Sequence, residues 1–213
     1  MSYEYVEKVD DKSIENNEKP AFEKPGDALT YTERSGSILN YLDESIRCIE
    51  DLKKKTDQIQ RIMQILENAR ENGKKLFLMG NGGSGSLASH LICDFSKFRK
   101  LKAIALTDSI ASITAYSNDD NYDVIFKEQL KILAEEDDVV IGISGSGNSK
   151  NVIEGMEFAK QIGCHTIGLA GFDGGKLKDV SEECIIVEIK NMQHSEDMHT
   201  LLGHMVAFLM KEA

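Results

Sequence analysis

Between Ile38 and Leu66, apolar residues return every third or fourth position: Leu39, Leu42, Ile46, Ile49 and Leu52, then Ile59, Ile62, Met63, Ile65 and Leu66. That period predicts two helices, or one long broken helix, stopped at Asn72-Gly73. Beyond Gly73 the rhythm changes to short unbroken apolar runs separated by helical stretches. The runs predict strands at Lys75–Met79, Lys102–Leu106, Asp138–Ile143, His165–Ala170 and Cys184–Glu188. The intervening stretches predict helices near Ser86–Ser96, Ile110–Tyr116, Asp123–Leu133, Asn151–Gln161, Lys176–Val180 and Glu196–Lys211. Strands that are apolar on both faces and alternate with helices lie between two helical layers. The expected fold is therefore α/β, a three-layer, doubly wound, five-stranded parallel sheet with N-terminal helices. In such a sheet ligands bind at the carboxyl ends of the strands.

Residues 1–35 break this order. They are rich in Glu, Lys, Asp and Asn, hold both prolines of the chain (Pro20 and Pro25) and have no sustained period. They are expected to form a flexible or partner-dependent arm, with residues 36–213 making one domain. The formal net charge of the 213 residues is −11, which argues against a nucleic-acid-coating surface, since that requires a basic stripe. No apolar run approaches the ~20 residues that cross a bilayer, and the N-terminus is charged rather than signal-like, so no membrane partner is expected and the expected location is cytoplasmic. Cys48, Cys93, Cys164 and Cys184 are widely spaced without a C-x-x-C pair. They read as buried free thiols and not as a zinc knuckle or redox dithiol.

Two glycine loops carry the candidate chemistry. Val139 to Ile143 runs straight into Ser144-Gly145-Ser146-Gly147-Asn148-Ser149, and Val152, Ile153, Met156 and Ala159 then recur at helical spacing. A strand, a loop of hydroxyls and glycines, and a helix N-terminus together form an anion cradle that needs no lysine. The earlier loop, Gly80-Asn81-Gly82-Gly83-Ser84-Gly85-Ser86, also follows a strand and opens a helix. Read literally, Gly80, Gly82 and Gly85 satisfy the dinucleotide fingerprint, with Asp108 as its acidic residue. A dinucleotide site does not require the second hydroxyl-rich loop, and His90 and Asp94 stand i, i+4 on one face of the helix that follows the first. Both points count against that reading.

In their order along the chain, Gly80-Asn81-Gly82-Gly83-Ser84, His90, Leu106-Thr107-Asp108, Ser117-Asn118-Asp119, Gly142 to Ser149, Gly171 with Asp173-Gly174-Gly175, and Glu196 to His204 resemble the sugar isomerase (SIS) domain family. Within it they resemble the sedoheptulose 7-phosphate isomerases, also called phosphoheptose isomerases. The similarity runs from about Ile38 to the C-terminus. The resemblance implies a flavodoxin-like SIS fold and a homotetramer with active sites between subunits. It implies an aldose–ketose isomerase converting sedoheptulose 7-phosphate to D-glycero-D-manno-heptose 7-phosphate through an enediol. Substrate would be held by Asn81, Gly82, Ser84, Asn118, Asp119, Ser144, Gly145, Ser146, Ser149 and Glu196. Zn²⁺ would be held by His90, Asp94, Glu196 and His204, with Asp94 as base and His204 as acid.

The residues themselves leave two questions open. Imidazole with carboxylate suits Zn²⁺, but residues eight apart on a helix differ by about 80° in direction, so Glu196 and His204 converge only on a helix that crosses the site. His199 is either a partner of that set or an exposed residue, while His194 (ahead of the helix) and His165 read as structural. Asp173 reads as shaping a turn near the site, where it could also touch sugar hydroxyls. The chain also departs from the family pattern. Asp94 stands where glutamate is usual, shortening the base by ~1.5 Å where a 1 Å misplacement can cost 10²-fold. Glu196 stands for glutamine, Leu87 for aspartate and Phe98 for arginine, with Arg99 displaced by one. These departures fall on the sugar-reading and chemical side, so an isomerase of another sugar phosphate, or a non-catalytic SIS sensor or protein-binding tetramer, is the alternative reading.

Overall fold

The computed structural model describes residues 31–212. The chain divides between Asn40 and Tyr41. Of its first unit, Met1–Asn40, the described part is the beginning of α1, and the second unit, Tyr41–Ala213, contains the sheet and every site residue. Most of the expected arm, residues 1–30, lies outside the described residues, and positions 31–35 open α1.

In chain order the elements are α1 (Tyr31–Lys53), α2 (Thr56–Glu71), β1 (Lys75–Gly80), α3 (Gly83–Cys93), a π-helical turn (Asp94–Phe98), β2 (Lys102–Ala105) and α4 (Ile110–Asp119). A 3₁₀ turn (Tyr122–Val124), α5 (Ile125–Leu133), β3 (Val139–Ser144), α6 (Lys150–Gln161), β4 (His165–Gly171), α7 (Leu177–Val180), β5 (Glu183–Val187) and α8 (Met192–Leu209) follow. The N-terminal helical stretch is two helices, broken at Lys54-Lys55.

Among the described residues the five strands run parallel in the order β2-β1-β3-β4-β5. Successive side chains of a strand point to opposite faces, and each strand divides its apolar residues accordingly. Leu76 and Leu78 of β1, with Val139, Ile141 and Ile143 of β3, face a core shared with α2, α3 and α8. Phe77, Met79 and Val140 face a second core with α5, α6 and α7. The order reverses between β1 and β3, so the two glycine loops leave the sheet side by side and send α3 and α6 to opposite faces. That crevice is the switch point where doubly wound sheets bind ligands.

Helix α8 starts earlier than its apolar pattern predicts. Asn191 caps it, its side chain accepting from His194 N at 3.2 Å, so His194 lies inside the first turn rather than ahead of it. An Asn at this position satisfies an amide that the helix leaves free. The Cys93 expectation is corrected too. Cys48 and Cys164 are buried and Cys184 is half-buried, but Cys93, at the outward end of α3, is exposed, and all four are free. Burial pushes the Cys164 and Cys184 thiols up to about 11. Among the described residues no helix is long and apolar enough to cross a membrane.

Candidate active site

The second loop folds into a cup. Ser144 Oγ donates to Ser149 Oγ at 3.0 Å, and Asn148 N donates to Ser146 Oγ at 3.2 Å. The cup is braced from both ends of the loop after β4, where Gly171 N at the end of β4 donates to Gly145 O and Leu177 N at the start of α7 to Gly147 O, each at 2.9 Å. Asn148 Oδ1 receives Lys176 N at 3.1 Å. Gly147 has φ +66°, and a β-carbon there would collide with the carbonyl of Gly174, so this close approach requires glycine. Ser149 stands at the N-cap of α6 without a capping side-chain bond, and the first turn of α6 contains no acidic residue. The helix thus presents free amides and its positive dipole end to the crevice. Asp173 shapes the neighbouring turn, accepting from Gly175 N at 3.1 Å.

The first loop has a different filling. Gly82 takes φ +55° to start α3, and the carboxylate of Glu196, reaching across from α8, stands against Gly83. A β-carbon on Gly83 would lie 2.8 Å from Glu196 Oε2. A negative group belongs at a helix N-terminus, where it is worth about 0.3–1 kcal/mol, so the start of α3 already has an anion. Ser84 is buried behind it. The side chain of Asn81 faces the second loop, pairing with Asn151 and receiving Tyr122 Oη. Asp108, the residue a dinucleotide ribose would need, accepts a short hydrogen bond from Ser89. Asn118 and Asp119 lie exposed at the end of α4, Asn118 Nδ2 donating to Asp119 Oδ1 at 2.9 Å, and the turn after them carries Tyr122.

His90, Asp94 and His204 meet further down the same face. His90 Nε2 and His204 Nε2 are 2.8 Å apart, their rings edge-on at 73°, and His204 Nε2 is 3.8 Å from Asp94 Oδ2. One ligating atom from each lies within 4.8 Å of the others. Two imidazole nitrogens cannot approach this closely unless a proton or a cation lies between them. Two imidazoles with one carboxylate are an ordinary donor set for Zn²⁺, so these three residues fit such an ion. Glu196 is not in this cluster, its carboxylate being committed to Gly83 two helical turns away. Beside the trio opens a cleft of about 630 Å³ lined by Phe98, Arg99, Lys100, Ala207 and Phe208.

Gly203 explains how α3 and α8 bring the trio together. A β-carbon on it would lie 2.6 Å from the methyls of Leu91, so the helices touch through Gly203, one residue from His204, and Leu91, one residue from His90. An isolated glycine in a helical run is the signal that could have marked this approach in the sequence. Arg99 anchors the far end, donating to the carbonyls of Ala207 and Phe208, which the C-terminus of α8 leaves unpaired. The widened π turn swings Phe98 outward into solvent and Arg99 toward α8, which gives the displaced arginine a place.

Three remaining histidines are structural in their contacts or buried. His165 Nδ1 pairs with Glu182 at 2.8 Å. His194 is buried against the Tyr41 ring and its Nε2 bonds Tyr41 O at 3.0 Å. Tyr41 Oη in turn donates to Asp197 at 2.6 Å, which pushes the phenol up to about 12. His199 is buried, not exposed, and among the described residues neither ring nitrogen makes a well-formed hydrogen bond, the backbone of Ala170 being its weak polar neighbour. Burial brings its pKa down to about 4, so it is neutral at pH 7. It lines a cavity of about 180 Å³ with Gly83, Ser84, Leu87, Glu196, Asp197 and Thr200.

A family model described as SIS domain matches residues 40–171. A "Probable phosphoheptose isomerase" of Thermoplasma acidophilum is 44% identical over 177 residues, covering 81% of this chain and 96% of that protein. The phosphoheptose isomerase of Clostridium acetobutylicum is 37% identical over 185 residues, covering 81% and 94%. Among solved structures, a phosphoheptose isomerase from Neisseria gonorrhoeae superposes with a TM-score of 0.80 at 31% identity, covering 85% of this chain and all of that one.

Proposed function

The chain belongs to the SIS domain family, and we propose that within it the protein is a sugar-phosphate aldose–ketose isomerase converting sedoheptulose 7-phosphate to D-glycero-D-manno-heptose 7-phosphate. The observation that carries this reading is the convergence of His90, Asp94 and His204 in a chain whose second glycine loop leaves a helix N-terminus open to an anion. The relatives named phosphoheptose isomerase support the substrate.

Ser144, Gly145, Ser146 and Ser149 hold the phosphate with the amides at the start of α6. Ser84, Gly82 and Glu196, with Asn118 and Asp119, face the sugar. Asp94 removes a proton from C1 of the ketose while His204 donates one to the carbonyl oxygen at C2, giving the enediol. Asp94 then returns its proton to C2 and His204 takes the proton from the C1 hydroxyl, leaving an aldehyde. When no metal is bound, His90, bonded to His204 at 2.8 Å, fixes that ring. His90, Asp94 and His204 would hold Zn²⁺, which when bound polarises the sugar carbonyl.

The length of α8 favours sites built between subunits. Met192 packs on Gly145 of the cup, since a β-carbon on that glycine would overlap its sulfur, and His204 follows twelve positions later on one continuous helix. At 1.5 Å per residue this is about 18 Å. A seven-carbon sugar phosphate, its bonds advancing roughly 1.3 Å each, spans about 10 Å. A substrate in one cup is therefore too short to span to the trio along the same α8, which favours a site completed by a neighbouring chain, as in a homotetramer with interfacial sites. Exposed Leu42, Ile46 and Ile49 on α1 and Phe98 and Phe208 beside the trio supply apolar surface for that assembly. The free thiols agree with a reducing cytoplasm. The test is incubation of the purified protein with sedoheptulose 7-phosphate, with and without Zn²⁺, followed by NMR. Appearance of the aldose is expected; retention of the ketose under both conditions, with sugar-phosphate binding intact, overturns the assignment.

A further inference from the structure

Asn151 is the second residue of α6 and is 2% exposed. Its amide and that of Asn81 are paired reciprocally, each Nδ2 donating to the other's Oδ1 at 2.8 Å. Asn151 Oδ1 also accepts Val152 N at 3.0 Å, one of the amides that the first turn of α6 leaves free. On the other side, Tyr122 Oη donates to Asn81 Oδ1 at 2.8 Å, so both lone pairs of that oxygen are occupied. The backbone of Asn81 meanwhile opens α3, its carbonyl accepting Gly85 N. One residue is thus fastened by its main chain to the start of one glycine-loop helix and by its side chain to the start of the other.

We infer that Asn151 and Tyr122 are positioning residues that clamp Asn81, so that an anion docking on the second loop fixes the first-loop backbone at Gly82–Ser84 in register with the sugar. Neither residue is needed for the cup itself, whose hydroxyls are held by Ser144, Ser146, Asn148 and the loop after β4. Both act through Asn81. The role in turnover rests on the isomerase reading above, but the coupling of the two loops does not.

The experiment titrates inorganic phosphate into wild type, Asn151→Ala and Tyr122→Phe, following backbone amide shifts of both loops by NMR and affinity by calorimetry. Sedoheptulose 7-phosphate kinetics are then measured on the same proteins. In wild type, phosphate is expected to shift the amides of Gly145–Ser149 and also those of Gly82–Ser84. In Asn151→Ala, phosphate affinity stays near wild type and the first loop falls silent. Its kcat drops about 10- to 100-fold, as a displacement on the order of 1 Å would cause, while KM changes little. Tyr122→Phe gives a weaker version of the same split. First-loop amides that respond as in wild type in both variants overturn the inference. So does a loss confined to phosphate affinity with kcat unchanged, which would make Asn151 part of the cup. If Asn151→Ala does not fold, Tyr122→Phe, at a half-exposed ring, decides alone. Wild-type protein that turns over no ketose phosphate defeats the isomerase assignment, and the phosphate titration still decides the coupling.

Discussion

The two glycine loops are near-twins in sequence and occupy equivalent places, each closing a central strand and opening a helix, yet they are filled in opposite ways. The loop at Gly80–Ser86 receives a carboxylate from α8 and gives its asparagine to a neighbour. The loop at Ser144–Ser149 has no acid at its helix start and leaves its N-cap serine without a capping bond. What an anion-binding motif does is decided by what the rest of the fold places at its mouth, and not by its glycines. Under the proposed function this difference gives the phosphate to the second loop and leaves the first to orient the sugar.

That division of labour can be broken at several points. The largest effects belong to the chemistry below the first loop: Asp94→Asn and His204→Ala should each lower kcat on the order of 10²- to 10⁴-fold while inorganic phosphate affinity, read by calorimetry, stays unchanged. Equal loss of both would mean that cup and trio are not separate. Next is acid sensitivity behind the first loop. His199 is brought down to about 4 and titrates near its ordinary value when unfolded, so between pH 6.5 and 4 the unfolded chain binds the extra proton. Stability is full above that window and falls through it as pH drops, by about 3 kcal/mol. Urea unfolding of His199→Gln should lack this slope. Smaller again is Ser149→Ala, which should raise KM for the sugar phosphate roughly tenfold through a lost charge-assisted bond and leave kcat near wild type. The smallest is Glu196→Gln, which removes the internal anion of α3. Thermal unfolding should report a loss of about 0.3–1 kcal/mol, and a gain in inorganic phosphate affinity at the first loop would sharpen the contrast by revealing what the carboxylate keeps out.

Much of this was legible because periodicity reports burial. The runs at Leu76–Met79 and Val139–Ile143 are apolar on both faces, and both faces are covered. The loops were legible because glycines and hydroxyls after a strand leave few structural alternatives. The partners of each polar side chain were not. Asn81 reads as a substrate ligand until Asn151 and Tyr122 are placed around it, and Glu196 as a metal ligand until Gly83 is found beneath it. Contacts between elements far apart in sequence have no local signature. The start of α8 was missed because its first turn, Met192 to Ser195, is stabilised by the cap of Asn191 and by buried polar contacts, which an apolar pattern does not register. Cys93 follows the buried base rate of its type only until the helix end turns it outward.

Helix α8 touches the cup through Met192, the first loop through Glu196, α3 through Gly203 and the π turn through the carbonyls of Ala207 and Phe208. A single inserted or deleted residue between any two of these points would turn everything beyond it by about 100° and shift it by about 1.5 Å. The lengths between those contacts are therefore far less free to vary than the side chains at them. Such a helix accepts exchange of residues at its contacts, as Glu196 illustrates, more readily than a change of length, and an insertion is expected to be tolerated only in the loops at either end.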